Sequence, residues 1–178
     1  MTSDELHFRF ALPPDTSNVV DLVESAYRGD ASRVGWTTEA DLLDGQRTDD
    51  AGVSGIIGDP KSRLVLVCCA QLLVGCVHVK AESDSAYIGM FAIRPNQQAR
   101  GIGRRLLEHA EQCARSVFGL LKTHMTVIRQ REELIRWYER RGYCRTSRRE
   151  PFPYGDARFG LPRRPDLEFI VLEKSLGA

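Results

Sequence analysis

The sequence predicts a mixed α+β fold (mixed α/β in its layering), and three observations carry that prediction. The run Tyr87 to Ile93 is apolar and strand-like, and it passes through a glycine-containing turn into a long one-faced helical pattern. Leu64 to Cys69 and Val74 to Lys80 are neighbouring β-type runs a few residues apart, the signature of an antiparallel hairpin. Beyond residue 120, strand and helix patterns alternate again. At 178 residues, with 42% apolar and 28% charged side chains, residues 1–178 are expected to form one domain with a substantial core.

Taken in order, Phe8 to Leu12 reads as a short strand stopped by Pro13-Pro14. Val19, Leu22, Val23 and Ala26 form a helical stripe, with Asp15, Thr16 or Ser17 as caps. Thr38 and Asp41 have capping-box spacing before Leu42-Leu43, and Gly45 reads as a stop. Thr48 to Gly58 is ambiguous: Val53, Ile56 and Ile57 are helically spaced, whereas Gly52 and Gly55 oppose a helix. The hairpin and the strand Tyr87 to Ile93 follow. Ile102, Leu106, Ala110, Cys113 and Val117 then mark a helix reaching about Phe118. Lys122 to Ile128 is a strand and Glu132 to Arg141 a short helix. Tyr143 to Arg149 and Leu167 to Glu173 are two more strands, split by a Pro/Gly-rich loop. The expected order is β-α-α-β-β-β-α-β-α-β-β.

A net charge of +1 gives no global field for nucleic acid or a membrane, and neither is expected as a partner. The five cysteines are odd in number and form no CxxC pair or Cys/His spacing. No metal site is therefore expected, and a reducing, cytoplasmic setting is. Met1 to Glu5 is acidic and lacks the apolar segment of a signal peptide. The longest apolar run, Leu64 to Ala70, is far too short to span a bilayer.

The chemistry concentrates at Gln98-Ala99-Arg100-Gly101-Ile102-Gly103, where a strand turns into a helix. The first turn of a helix carries unpaired N–H groups and the positive end of the dipole. Glycine there lets an anion, a phosphate above all, approach the backbone. No third glycine completes GxGxxG and no GK[ST] occurs, which argues against a nucleotide-binding α/β domain. Arginines at 140, 141, 145, 148 and 149, and at 158, 163 and 164, read as a solvated face. Arg100, Arg104 and Arg105 flank the glycine turn.

The element order, together with Ile93-Arg94-Pro95-Asn96 running into this turn and Trp137-Tyr138-Glu139-Arg140-Arg141-Gly142-Tyr143 further on, resembles the GNAT superfamily of acyl-CoA-dependent N-acetyltransferases. The resemblance covers most of the chain and is densest from Ser85 to Tyr143. It implies a mostly antiparallel mixed sheet, helices on both faces, and two splayed central strands with the pantetheine arm between them. It also implies acetyl-CoA as co-substrate and transfer to a primary amine, on a small molecule or a protein, by direct attack in a ternary complex. The family pattern assigns coenzyme binding to Phe91, Ile93, Gln98, Ala99, Arg100, Gly101, Ile102, Gly103 and Arg104. Phe91 and Ile93 would offer strand groups to pantetheine, and backbone N–H groups from Gln98 to Arg104 would hold the diphosphate. Tyr138 matches the tyrosine that often protonates the departing thiolate, a role suited to a phenol of pKa about 10. Two positions depart from the pattern: Ala99 stands where glycine is usual, and Arg131 where asparagine is frequent. Homodimers are common in the family.

For removal of the amine proton the candidates are Glu82, Asp84, His78 and Glu168. Acceptor specificity is expected from Gly35-Trp36-Thr37-Thr38-Glu39 and from the loop bearing Phe152, Tyr154 and Phe159. For Glu39 and Thr38 a helix start is the simpler explanation. The aromatic loop reads equally as an acceptor wall or a sheet-edge cover, with a subunit contact as a further reading. Cys76 or Cys144 as acyl carrier lacks a paired histidine. The alternative to an enzyme is a non-catalytic acyl-CoA-binding sensor, in which Tyr138 would be dispensable.

Overall fold

The computed structural model describes residues 5–177; the first four residues of the acidic stretch Met1 to Glu5 lie outside them. The elements are β1 (Leu6–Phe10), α1 (Thr16–Tyr27), α2 (Gly29–Ser32), β2 (Leu43–Asp44), α3 (Asp50–Gly58), β3 (Ser62–Cys69) and β4 (Leu72–Ala81). They continue with β5 (Ala86–Ile93), α4 (Ile102–Ser116), β6 (Lys122–Ile128), α5 (Glu132–Glu139), β7 (Cys144–Pro151), β8 (Leu161–Pro162) and β9 (Glu168–Ser175). Seven strands form a sheet of order β1-β3-β4-β5-β6-β9-β7. Of the six pairings in that sheet only β5–β6 is parallel.

The central strands read as continuous apolar runs because both faces of the sheet are covered. From β3, Val65 and Val67 face one core with Ile102, Leu106, Ala110 and Ile135 of α4 and α5. Leu64 and Leu66 face the other, with Val19, Leu22 and Val23 of α1 and Val53 of α3. A third cluster of Leu43, Ile128, Phe152 and Leu167 lies apart from these two.

The central gap follows from register. β4 and β5 stay paired along their length, as do β6 and β9, yet β5 meets β6 only at Ala86↔Thr123 and Tyr87↔His124. Between Cys76 and His78 the β4–β5 register slips, and Met90 takes a left-handed φ of 45°. A bulge of this kind bends its strand, and beyond it β5 departs from β6.

Two local expectations need correction. No helix follows Thr38. Its Oγ1 instead accepts from the Ala40 N–H (3.0 Å), and Leu43–Asp44 pairs with Leu161–Pro162 as a small second sheet. Glu39, free of any helix start, is buried. The ambiguous stretch before β3 resolves to helix α3, capped by Asp49, whose carboxylate accepts from the Gly52 N–H at 2.7 Å.

Candidate active site

The parted strands open onto two cavities. The smaller, about 230 Å3, is lined by Phe91, Ile93, Gln98, Ala99, Gly101, Gly103 and Arg104, with Trp137, Tyr138 and Arg141 opposite. Eight of the ten residues singled out in the sequence thus share one cavity. The other two, Arg100 and Ile102, line an adjoining surface cleft together with Gly101 and Arg104.

The turn is built to expose backbone. Gly101 caps α4 with φ 78°, and Ala99 holds φ 61°. Gly103 is already helical, and a Cβ there would stand against Trp137, Phe91 and Ile93 at 3.5–3.8 Å, inside the cavity. Gln98 fixes the cavity roof: its Oε1 accepts from the Trp36 N–H (2.9 Å) and its Nε2 donates to the Ile93 carbonyl (3.1 Å). A Cβ on Gly35 would collide with that amide. Arg141 stacks on the Trp137 ring at 3.6 Å, and its buried Nε has no protein partner among the described residues.

The larger cavity, about 510 Å3, lies on the other side of the gap and shares Tyr27, Phe91, Arg131, Leu134 and Tyr138 with the first. Tyr138 is 4% exposed and packs edge-on against Phe91, Trp137 and Tyr143. Its hydroxyl hydrogen-bonds to none of the described residues, and it is not among the buried unpartnered atoms; the oxygen therefore borders open space. Burial pushes the Tyr138 phenol well above its ordinary value; the neighbouring Tyr27 adds to this, and Arg131 and Arg141 oppose it. Tyr27, pushed by burial up to about 12, donates its O–H to the Phe91 carbonyl at 2.8 Å.

Under Tyr27 sits an ionic cluster that sequence reading missed. Glu39, 8% exposed, accepts from Arg28 (2.7 Å) and Arg131 (2.8 Å). Burial raises the Glu39 carboxyl, but Arg131, Arg47 and Arg28 together outweigh it and hold the group below its ordinary value. Arg131, where the family pattern favours asparagine, also donates to Thr37 Oγ1 at 2.9 Å. These residues are far apart in the chain, and no local pattern marks them.

The candidate bases separate. Glu82 and His78 line the larger cavity, as does His124, which the sequence reading did not name. His124 Nε2 faces Glu82 at 3.5 Å, and its Nδ1 is 3.0 Å from Ser85 Oγ. His78 is lowered to about 4 by burial and by Lys80, and it pairs with Ser62 Oγ at 2.9 Å. Asp84 points outward to Lys122 and Glu168 pairs with Arg129; neither lines either of these two cavities. Of the aromatic loop, Phe152 and Phe159 line the larger cavity and Tyr154 does not. Cys76 is fully buried with its thiol raised to about 12 by burial. Cys144 is exposed on β7.

A sheet parted at one parallel pair, with a glycine turn at the mouth of the gap, defines a class of acyl-group transferases. The chain belongs to the GNAT acetyltransferase family, whose sequence profile, described as Acetyltransferase (GNAT) family, matches residues 21–143. Members of that family use acetyl-CoA as co-substrate. In fold the chain is similar to the ribosomal-protein-S18-alanine N-acetyltransferase from Escherichia coli (TM-score 0.72, 13% identity, 98% of this chain and 96% of that one). It is also similar to a spermidine/spermine N-acetyltransferase from Vibrio cholerae (0.67, 16% identity, 97% and 93%). A GNAT-family acetyltransferase from Streptococcus pneumoniae gives 0.66 at 16% identity, with 96% and 99% covered. No protein of curated function matches the sequence. Among the described residues no helix is long and apolar enough to cross a membrane.

Proposed function

We propose that this chain is an acetyl-CoA-dependent N-acetyltransferase that acetylates a primary amine by direct attack in a ternary complex. The observation that carries this reading is the Tyr138 hydroxyl, unpartnered by the described residues, on a side chain that lines both cavities.

The small cavity and its cleft fit a coenzyme A arm. Backbone N–H groups around Gly101 and Gly103 would take the diphosphate at the α4 terminus, helped by the guanidiniums of Arg104 and Arg141. Phe91 and Ile93 would face the pantetheine. The Phe91 carbonyl already accepts from the Tyr27 hydroxyl. The thioester supplies an activated acyl carbon at the junction of the cavities. The neutral amine attacks that carbon from the larger cavity; a C–N bond forms and the C–S bond breaks. The amine proton passes to His124, held by Glu82, directly or through water. Tyr138 hydrogen-bonds the leaving sulfur and delivers its proton. Full transfer from so deeply buried a phenol is uphill, so much of its effect is stabilisation of developing charge on sulfur. The inert thiol of Cys76 and the distant Cys144 favour direct transfer over an acyl-enzyme. The same reading places the protein in the cytoplasm, supported by five unpaired cysteines. It treats residues 1–178 as one domain that works as a monomer or a homodimer.

Calorimetry with acetyl-CoA on the wild type and on Gly103→Glu is the test. The variant puts a carboxylate into the anion site from a helical backbone, without the left-handed strain of Gly101. Binding by the wild type alone, with turnover of some amine, supports the reading. Absence of acetyl-CoA binding to the folded wild type sinks it. Binding with no turnover of any amine would instead mark a sensor.

A further inference from the structure

The larger cavity has two unlike walls. Beneath Tyr27 stand three guanidiniums, Arg28, Arg47 and Arg131, with Glu39 as the one carboxylate lining the cavity there. Both Glu39 oxygens are already taken, by Arg28 and Arg131. Three buried donor atoms remain without an acceptor among the described residues: Arg28 Nε, Arg28 Nη2 and Arg131 Nε. These atoms are enclosed by protein, Arg28 Nη2 against Gly160, so the donors that reach the cavity are those of Arg47. The Arg47 guanidinium makes no side-chain hydrogen bond to the described residues and lies over the Tyr27 ring at 5.2 Å. The nearby Glu24 carboxylate accepts from the backbone N–H groups of Arg47 and Thr48, and it does not line the cavity. At the far rim the charges balance, Lys80 and Arg148 against Glu82 and Glu150. The excess positive charge is therefore local to the inner wall. The opposite wall is apolar and includes Phe152, Phe159 and Phe169.

Building on the N-acetyltransferase reading, we propose that the acceptor is amino-acid-like: a small primary amine carrying a carboxylate and an apolar body. The carboxylate seats on Arg47, whose donors are open to the cavity, within the field of the neighbouring Arg28 and Arg131. The apolar body lies on the phenylalanines, and the amine is left facing the junction with the coenzyme cavity. The same guanidiniums disfavour an ammonium beside them, so they raise the fraction of neutral, nucleophilic amine. They also reject a polycation.

The test compares acetyl transfer, read as free thiol release, within matched pairs: phenylalanine against phenethylamine, and methionine against 3-(methylthio)propylamine, with spermidine as the cationic arm. Charge-assisted hydrogen bonds predict kcat/KM at least about tenfold higher for each acid than for its decarboxylated partner. Arg47→Met, at a half-exposed position with no hydrogen bond to lose, should narrow that ratio by about tenfold. Arg47→Lys, which keeps the charge, should narrow it less than Arg47→Met. Equal or better use of the decarboxylated amines, or of spermidine, overturns the proposal and leaves the enzyme reading standing. If no amine turns over, calorimetry of N-acetylphenylalanine against N-acetylphenethylamine decides independently. Selective binding of the acid supports the proposal while the catalytic reading fails; equal binding, or none, overturns it.

Discussion

At the scale of the residue, His78 shows how burial converts a titratable group into a stability device. Its folded pKa of about 4 lies below the ordinary 6.5, because burial and then Lys80 penalise the imidazolium. The unfolded chain therefore binds the proton more readily. The stability His78 contributes is complete above pH 6.5 and is lost as pH falls toward 4. The shift corresponds to at most about 3 kcal/mol. Urea midpoints at pH 7 and pH 4.5 should fall less for His78→Gln than for the wild type; an equal fall would mean that His78 is not buried neutral. Glu39 is the opposite case. Replacing it by glutamine leaves Arg28 and Arg131 buried without a counter-charge, and a loss of about 3–5 kcal/mol is expected in the same denaturation assay. Tyr138→Phe removes only an oxygen that borders the cavities. It should lower kcat about 10²-fold with acetyl-CoA affinity retained; an unchanged kcat would exclude Tyr138 from the chemistry.

At the scale of the element, the turn into α4 combines constraint and strain. Ala99 holds a left-handed φ of 61°, which costs a residue with a Cβ about 1–2 kcal/mol. Glycine removes that strain but adds freedom to the unfolded chain. Ala99→Gly should therefore stabilise by up to about 1 kcal/mol, read as a raised thermal midpoint. A lowered midpoint would mean that the Ala99 methyl packs productively. The strands were legible because they are apolar runs bounded by turn residues, and α4 because its buried face repeats at helical spacing. The pair β2 and β8 was not legible: two-residue strands carry no period, and their partners are separated by more than a hundred residues. Thr38 and Asp41 matched a capping box, but Thr38 Oγ1 caps a turn at Ala40 and no helix propagates. The lining of the smaller cavity around the turn into α4 was readable because residues 98–104 are contiguous in the chain. The Arg28–Glu39–Arg131 cluster was not, since Glu39 and Arg131 are 92 positions apart.

At the scale of the whole molecule, the sheet is two halves, β1-β3-β4-β5 and β6-β9-β7, that share only two register pairs. Side-chain contacts also join them near the gap, such as Phe91 of β5 against Trp137 and Tyr138 of α5 and the Arg131–Glu39 ion pair. A ligand filling the gap touches both halves at once, so its binding energy opposes their separation directly. At a hundredfold excess over its dissociation constant, acetyl-CoA should add about 2.7 kcal/mol to apparent stability. For a chain of this size that is a rise of about 5–10 °C in the thermal midpoint. The stabilisation should also be visible where the halves meet: hydrogen exchange should slow in Phe91 to Ile93 and in Thr126 to Ile128, beyond the last β5–β6 register pair. The outer pair β1–β3, already fully laddered, should slow only by the global increment. A midpoint shift of the same size in Gly103→Glu would show that the ligand stabilises from somewhere other than the gap. Protection confined to α4, with β5 and β6 unchanged, would show that the glycine turn binds the phosphates while the pantetheine arm lies outside the parted strands.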